Sequence, residues 1–367
     1  MNLKKWVISL ILILTITSCI QEEAPNAEAD IETCTLPDNL LIREPVIENE
    51  RVILIVRDGA DITKLAPEFT ITPGATISPA SGTTLNFSEP QTYTVTSEDG
   101  NWKKVYEVSV KSFVIPSIFH FDEAVPYMQK GEIVYYNFRE TYAPGRFMEW
   151  TNANAGFNYT GVKAAPDDYP TSPYPYGKVG ACVKLTTKST GSLGAILNMY
   201  IAAGNLFTGA FKIVIPEVVK ATKFGLPYTH IPTSIKGYYK YKAGEEFSIA
   251  GQVVPDKKDI FDLYAVFYET DEEVNSLDGT NIFTSPNIIS IARIGEAAKE
   301  TDEWTEFNLP FVTKAGKKVN AQKLQEGGYN LAIVFASSIK GDLFEGAVGS
   351  TLYIDEVKLS YTDNVNE

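Results

Sequence analysis

Strict alternation of side-chain character, rather than a helical repeat, is the feature that most constrains what this chain can fold into. It is clearest in residues 234–242, whose side chains divide into two sets. Successive side chains of a β-strand point to opposite faces of its sheet, so each set belongs to one face. One set is Ile235, Gly237, Tyr239 and Tyr241, and the other is Lys236, Tyr238, Lys240 and Lys242. The pattern predicts a strand with an inner tyrosine face and an outer face rich in lysine.

About ten strand-like stretches occupy residues 113–367, and no helical repeat of useful length separates them. Many strands without crossover helices are typical of antiparallel sandwiches, so we expect a two-sheet jelly-roll β-sandwich. Residues 329–337 are apolar on both faces, which predicts a central strand buried between two layers. In residues 351–361 the apolar positions change parity, which predicts a β-bulge near Asp355 and Glu356.

The side-chain pattern of residues 37–112 predicts a smaller all-β module. A continuous apolar run at residues 52–56 is followed by alternating stretches, and the turn at residues 98–101 has the Asp-Gly-Asn composition of a hairpin. Short strands at this spacing are typical of a β-sandwich with immunoglobulin-like architecture. The module is therefore expected to be a spacer, and a binding role for it stays open.

The N-terminus has the parts of a bacterial lipoprotein signal in order. Lys4 and Lys5 precede an apolar stretch that is too short to span a bilayer. The tetrapeptide that ends in Cys19 resembles a lipobox, so we expect residues 1–18 to be a signal peptide and Cys19 to carry the lipid that anchors the protein to a membrane. An ordinary secretory signal followed by an unrelated cysteine is the alternative.

Residues 19–36 lack periodicity and predict a flexible tether. Two acids follow the anchor, Glu22 and Glu23, and they resemble a surface-export signal of Bacteroidetes lipoproteins. We therefore expect a lipid-anchored protein of the outer membrane, exposed at the cell surface.

Charge and composition exclude several classes of function. The net charge of −14 leaves no surplus of basic residues for a nucleic-acid partner. Two histidines and no CxxC or HExxH motif argue against a zinc or redox site, so no cofactor is expected. Cys34 and Cys182 could form a disulfide, although Cys182 fits better as a small buried apolar residue.

Three segments have the composition that sugar binding requires, which is aromatic faces ringed by polar side chains. The candidates are Trp150, Asn152 and Asn154, then Asn205 and Phe207, and finally Tyr238 and Lys240. Each has a structural alternative, because a tryptophan can pack in the core and asparagines often stabilise turns.

Glycoside hydrolysis would instead require two carboxylates on either side of the scissile bond. Asp342 and Glu345 lie in a glycine-bounded loop, and Asp262 begins an apolar stretch. Solvated charge and loop capping are the alternatives for these acids. Asp355, beside the predicted bulge, is a candidate ligand for a structural Ca²⁺, although no EF-hand spacing supports one.

Six stretches together resemble the PCMD family, a carbohydrate metabolism domain of Bacteroidetes lipoproteins. They are residues 149–156, 204–209, 225–229, 237–241, 337–346 and 349–357, and the resemblance extends from about residue 117 to 361. It implies a jelly-roll domain similar to carbohydrate-binding sandwiches, preceded by an Ig-like module, and it supplies no catalytic residues. The favoured function is glycan binding through residues 113–367. Hydrolysis of glycosides and adhesion to other proteins are the alternatives.

Overall fold

The computed structural model describes residues 25–36, 40–41, 45–56, 60–112, 114–143, 146–213, 217–271 and 273–363. The expected signal peptide, residues 1–18, and the expected lipidation site Cys19 lie outside these ranges. The chain divides into two compact units, Met1–Lys111 and Ser112–Glu367. No helix in the described ranges is both long enough and apolar enough to cross a membrane.

The N-terminal unit is built from short strands around one apolar core. Its described strands are β1 (Ile31–Thr35), β2 (Val46–Glu48), β3 (Arg51–Val56), β4 (Glu68–Ile71), β5 (Thr76–Ser78), β6 (Gln91–Thr96) and β7 (Lys103–Ser112), with a 3-10 turn at Ile62–Lys64. A five-stranded sheet has the order β2-β3-β7-β6-β5, and β1 pairs with β4. Side chains from both sets, such as Tyr93 and Phe69, share the core.

For this unit the sequence prediction of a hairpin is confirmed, and the prediction of a flexible tether needs correction. The hairpin is confirmed, since β6 and β7 are antiparallel and Gly100 has a φ of 72° in the turn between them. The tether predicted for residues 19–36 is too long, because Ile31–Thr35 forms β1 and Cys34 is buried. The apolar side chains of Ile31 and Cys34 pack in the core, which holds this segment against the unit.

The C-terminal unit contains most of the strands. They are β8 (Ile118–Phe119), β9 (Glu123–Gln129), β10 (Glu132–Ala143), β11 (Arg146–Trp150), β12 (Thr171–Tyr174), β13 (Cys182–Thr186), β14 (Lys188–Ser189), β15 (Ile201–Ala202), β16 (Asn205–Phe207), β17 (Gly209–Phe211), β18 (Thr222–Phe224), β19 (Leu226–Pro227), β20 (Ile231–Lys242), β21 (Phe247–Ile249), β22 (Gln252–Val253), β23 (Asp262–Glu269), β24 (Ile288–Arg293), β25 (Thr301–Pro310), β26 (Val312–Thr313), β27 (Tyr329–Ala336), β28 (Gly346–Ala347) and β29 (Thr351–Thr362). The α-helices α1 (Asn154–Tyr159), α2 (Gly191–Ile196) and α3 (Ala321–Gln325) are short, as are the 3-10 turns at Pro166–Asp168, Val218–Ala221, Gly295–Ala297 and Gly341–Leu343. The predicted all-β class is confirmed.

Two six-stranded sheets form the sandwich of this unit. The front sheet has the order β12-β13-β29-β20-β25, with β8 also paired to β29. The back sheet has the order β16-β27-β23-β24-β26, with β19 also paired to β27. Leu352 and Tyr239 of the front sheet and Phe267 and Ile333 of the back sheet belong to one apolar core, so the sheets pack face to face.

The back sheet is buried on both faces, as the sequence of residues 329–337 predicts. Seven of the eight residues of β27 are buried, and the same is true of β23. A second apolar cluster covers the outer face of this sheet and includes Phe224, Val266 and Leu277. Alternation is lost in these strands because both of their faces pack against apolar side chains.

The predicted bulge in β29 is confirmed. The register of β29 against β20 shifts between Lys236 and Tyr238, which pair with Lys358 and Asp355. Glu356 is the extra residue and has a φ of 50°. Gly237 lies opposite this point, where an added Cβ would be 2.8 Å from Val357 Cγ2, so no larger residue fits without movement.

Candidate functional site

The outer face of the front sheet is the open surface of the sandwich. Alternate residues of its strands enter the core, so the residues between them point outward. This surface, called the front face, consists of Ser172, Tyr174, Cys182, Lys184, Lys236, Tyr238, Lys240, Lys242, Trp304, Glu306, Asn308, Tyr353, Asp355 and Lys358. Aromatic and lysine side chains dominate it, and most of them are half-buried or exposed.

Tyr353 lies at the centre of one row of the front face. It pairs with Lys184 on one neighbouring strand and with Lys240 on the other. The ring of Tyr174 packs 4.8 Å from the ring of Tyr353, centroid to centroid, at an angle of 53°. Tyr176 contacts Tyr174 in turn and is 73% exposed. These contacts form a run of three tyrosine rings, and a lysine lies on either side of Tyr353.

Two lysines lie over aromatic rings of the front face. Lys240 Nζ is 5.3 Å from the centroid of the Trp304 ring, and Lys178 Nζ is 5.0 Å from the centroid of the Tyr238 ring. Both distances fall within the range in which a cation is attracted to the electron-rich face of an aromatic ring. Each pair therefore presents an apolar surface and a positive charge side by side.

A cavity of about 230 Å³ opens beside Tyr238. Its lining residues are Ile118, Lys236, Gly237, Tyr238, Glu306, Glu356 and Lys358. Lys236 and Lys358 are direct cross-strand partners in it. Glu356 Oε1 lies 2.8 Å from His120 Nδ1, and this hydrogen bond is the main cause of a raised pKa for His120.

Asp355 holds the loop between β12 and β13 on the front face. Its Oδ2 accepts hydrogen bonds from the backbone N–H groups of Lys178 and Val179, at 2.5 and 3.0 Å. Its Oδ1 accepts one from the N–H of Glu356 at 2.9 Å. Burial outweighs these bonds and raises the pKa of Asp355 to about 6. The loop brings Lys178 over Tyr238, so Asp355 positions a residue of the surface.

The Ca²⁺ role predicted for Asp355 has no support. Both carboxylate oxygens already accept backbone N–H groups, whose positive ends would repel a cation. Within the described ranges there is also no group of three or more His, Cys, Asp or Glu side chains that could hold a metal.

The predicted sugar platform at Trp150 is wrong, because the indole is in the core. Trp150 is 2% exposed and packs against Phe119, Phe121 and Phe335 at centroid distances of 5.1, 5.5 and 5.8 Å. Phe207 is equally buried and packs against Phe224 on the other side of the back sheet. Neither ring offers a face to a ligand.

The asparagines predicted with them stabilise a junction between two segments. Asn154 is fully buried, donates to the carbonyl of Thr171 at 2.7 Å and accepts from the N–H of the same residue at 3.0 Å. Asn205 accepts from the N–H of Ala153, and Asn152 accepts from that of Asn154. The structure thus brings all five predicted residues of this group together, but in turns and packing rather than in a binding site.

The predicted carboxylates have different surroundings, and the catalytic role of Asp342 and Glu345 stays a prediction. Asp262 is 2% exposed and is bound by Arg293, with Nη2 to Oδ2 at 2.6 Å and Nε to Oδ2 at 3.0 Å. It therefore cannot reach a substrate, and its predicted catalytic role is wrong. Asp342 lies in the turn Gly341–Leu343, where partial desolvation and then the charge of Asp262 raise its pKa. Glu345 is half-buried in the same loop.

Glu140 shows that a raised pKa alone does not mark a catalytic acid. Burial raises its pKa to about 7. Its two oxygens accept the backbone N–H groups of His120 and Phe121, at 3.0 and 2.9 Å. Phe121 has a φ of 57°, so the carboxylate fixes an unusual backbone turn. Its role is structural.

Of the predicted binding residues, Tyr238 and Lys240 lie on the front face. Sequence reasoning missed their neighbours Trp304 and Tyr353, which are close in space but on different strands. The alternation of side chains could have indicated Tyr353, because its neighbours Leu352 and Ile354 both enter the core and Tyr353 must then point outward. The pairing of β29, β20 and β25 that brings the rings together was not readable from the sequence.

Comparison with protein families gives two matches. Residues 120–360 match the family model described as "Putative carbohydrate metabolism domain", PCMD. Residues 42–110 match the model described as "SGBP, N-terminal". No protein of curated function matches the chain.

Two solved structures from Bacteroides are similar over long stretches. A "putative glycoside hydrolase" from Bacteroides thetaiotaomicron VPI-5482 is 53% identical, with 93% of this chain and 99% of that chain covered and a TM-score of 0.78. A second "putative glycoside hydrolase", from Bacteroides vulgatus ATCC 8482, is 42% identical, with 67% of this chain and 98% of that chain covered and a TM-score of 0.63.

Proposed function

The chain belongs to the PCMD family of carbohydrate metabolism domains, and we propose that it binds glycan on the front face. The observation that carries this proposal is the group of rings on an open sheet. Tyr174, Tyr353, Tyr238 and Trp304 lie on one surface, and lysines lie over two of them. A pyranose ring has an apolar C–H side that packs on such rings, and its hydroxyl groups need polar neighbours.

The test is a glycan array followed by calorimetry with the glycan that binds. Tyr353→Ala and Trp304→Ala should each weaken binding at least tenfold, because each removes a ring of the surface. Trp102→Ala is the matched control, since Trp102 is 64% exposed but belongs to the N-terminal unit. Unchanged affinity in both front-face variants, with an intact circular dichroism spectrum, would reject the site.

Hydrolysis is the second candidate function, and one specific observation favours it. Glu306 and Glu356 line the same cavity as Tyr238, and glycosidases use two carboxylates about 5–9 Å apart. The bound glycan should then release reducing ends, and Glu306→Gln or Glu356→Gln should abolish the release. Glu303→Gln, an exposed change on the same strand, is the control. Binding without any release of reducing ends would leave the protein as a binding protein.

We also propose that the protein is a surface lipoprotein of the outer membrane, anchored through Cys19. The order of basic, apolar and small residues before Cys19 supports this proposal. Cells fed an alkyne fatty acid should label the wild-type protein but not Cys19→Ala, and Cys34→Ala should still be labelled. Protease treatment of intact cells should degrade the labelled protein. An unlabelled wild-type protein would contradict the anchor, and a protease-resistant one would contradict surface exposure.

A further inference from the structure

The front face is much more basic than the rest of the chain. The chain has 46 acidic and 32 basic residues. Lysines nevertheless gather on this surface and in the loop over it, and they are Lys178, Lys184, Lys236, Lys240, Lys242 and Lys358. Fewer carboxylates lie here, and two of them already have hydrogen-bond partners. Asp355 is buried beneath the loop, and Glu356 forms a hydrogen bond with His120. Glu306 is exposed.

Lys236 and Lys358 are the most informative pair. They lie directly opposite each other on β20 and β29, on the same face, and both are exposed. Like charges in this arrangement destabilise a sheet. In the described part of the chain neither lysine forms a salt bridge that would offset the repulsion. An anion between the two ammonium groups would remove the repulsion.

The lysines are also placed to act together with the rings. Lys240 lies between the Trp304 ring and Tyr353, and Lys178 lies over Tyr238. A sugar packed on one of these rings would hold its charged substituent close to an ammonium group. Lys236 and Lys358 also line the cavity beside Tyr238. A sugar ring and its charged group could therefore be bound at the same place.

We propose that the ligand is an acidic glycan, whose carboxylate or sulfate groups lie between Lys236 and Lys358 and beside Lys240. This inference rests on the proposed glycan binding at the front face and adds the chemical class of the ligand. Because Lys236 and Lys358 are exposed, binding should weaken as salt screens their charges.

The experiment compares two matched pairs of polysaccharides by calorimetry at low and high salt. One pair is polygalacturonate and its fully methyl-esterified form, and the other is a sulfated galactan and the same galactan after desulfation. At least one acidic member should bind, and its neutral counterpart should bind at least tenfold more weakly. Preference for carboxylate or for sulfate identifies the charged group, and either result supports the proposal.

The variant Lys236→Gln/Lys358→Gln should weaken acidic binding at least tenfold and reduce its salt dependence. Lys317→Gln/Lys318→Gln removes two charges from the turn after β26 and should have no effect.

Equal binding of acidic and neutral members, unaffected by the lysine variants but lost in Tyr353→Ala, would overturn the acidic-ligand inference alone. If neither these four nor the array glycans bind, the proposed function fails as well. Thermal melts of each variant exclude unfolding as the cause.

Discussion

The two outer faces of the C-terminal sandwich are built on similar sheets but serve different ends. The back sheet presents Val266 and Ala332 to a second apolar cluster, which residues of β18 and of the segment after β23 complete. The front sheet presents tyrosine, tryptophan and lysine to solvent. Both sheets contribute their inner faces to one core. The apolar cluster at the back therefore adds to the stability of the sandwich, while the front face is left for the proposed recognition.

The largest expected effect comes from placing a charge on each face in turn. Val266→Lys puts an unpaired ammonium group into a fully buried position of the back sheet, and should lower the free energy of unfolding by more than about 4 kcal/mol. Tyr238→Lys on the front face should change it by no more than about 1 kcal/mol. Urea denaturation measures both. Similar losses in the two variants would mean that the front face is not an open surface.

Trp150→Ala tests whether this side chain contributes to core packing or to glycan binding. Loss of this buried ring should lower the free energy of unfolding by about 3–5 kcal/mol, since the cavity left among three phenylalanines cannot close fully. Below the unfolding transition the variant should keep its glycan affinity. A loss of affinity in the folded variant, without loss of stability, would return Trp150 to the list of binding residues.

Asp355 is a buried carboxylate on the front face, and it should make stability depend on pH. Its pKa is about 6 in the folded protein and near 3.8 when unfolded. Between these values the folded state holds the extra proton, so this group lowers the free energy of unfolding as pH rises, by about 3 kcal/mol in total. Urea midpoints at pH 4, 5 and 6 should show this contribution. Asp355→Asn should reduce the slope, and an unchanged slope would assign it to other groups.

The smallest expected effect concerns the lysine pair. Lys236→Gln removes the repulsion with Lys358 and should raise the free energy of unfolding by about 0.2–1 kcal/mol. The same change is expected to weaken binding of an acidic glycan, so stability and affinity should move in opposite directions. Lys317→Gln, which lies outside the front face, is the control. A loss of stability in Lys236→Gln would show that the pair is not repulsive in the folded protein.

Strand-level predictions were accurate where the side-chain pattern is local. The alternation of residues 234–242 lies within β20, and the parity change near Asp355 marks the observed bulge. The apolar run at residues 329–337 matches β27 and its burial on both faces. Each of these features depends on which side of a strand a residue occupies, and that is encoded in sequence spacing.

Predictions for the site were less accurate for a physical reason. Trp150, Asn154 and Asn205 have the residue types of a sugar site, but residue type does not tell an exposed aromatic ring from a buried one. Asp262 resembles a free acid in the sequence, and only the fold shows its ion pair with Arg293. Tyr174, Tyr353 and Trp304 are distant in sequence and were not grouped.

The sequence by itself determined the all-β class, the position of most of the longer strands and the two-faced character of β20. It could do so because burial on one side of a pleated strand imposes a period of two on the side chains. Only the tertiary structure decided which aromatic residues share the front face, because strand order depends on long-range pairing among β12, β13, β29, β20 and β25. Because of this pairing, the lysine-rich outer side of β20 has Tyr353 and Trp304 as neighbours, and Lys236 lies opposite the like charge of Lys358.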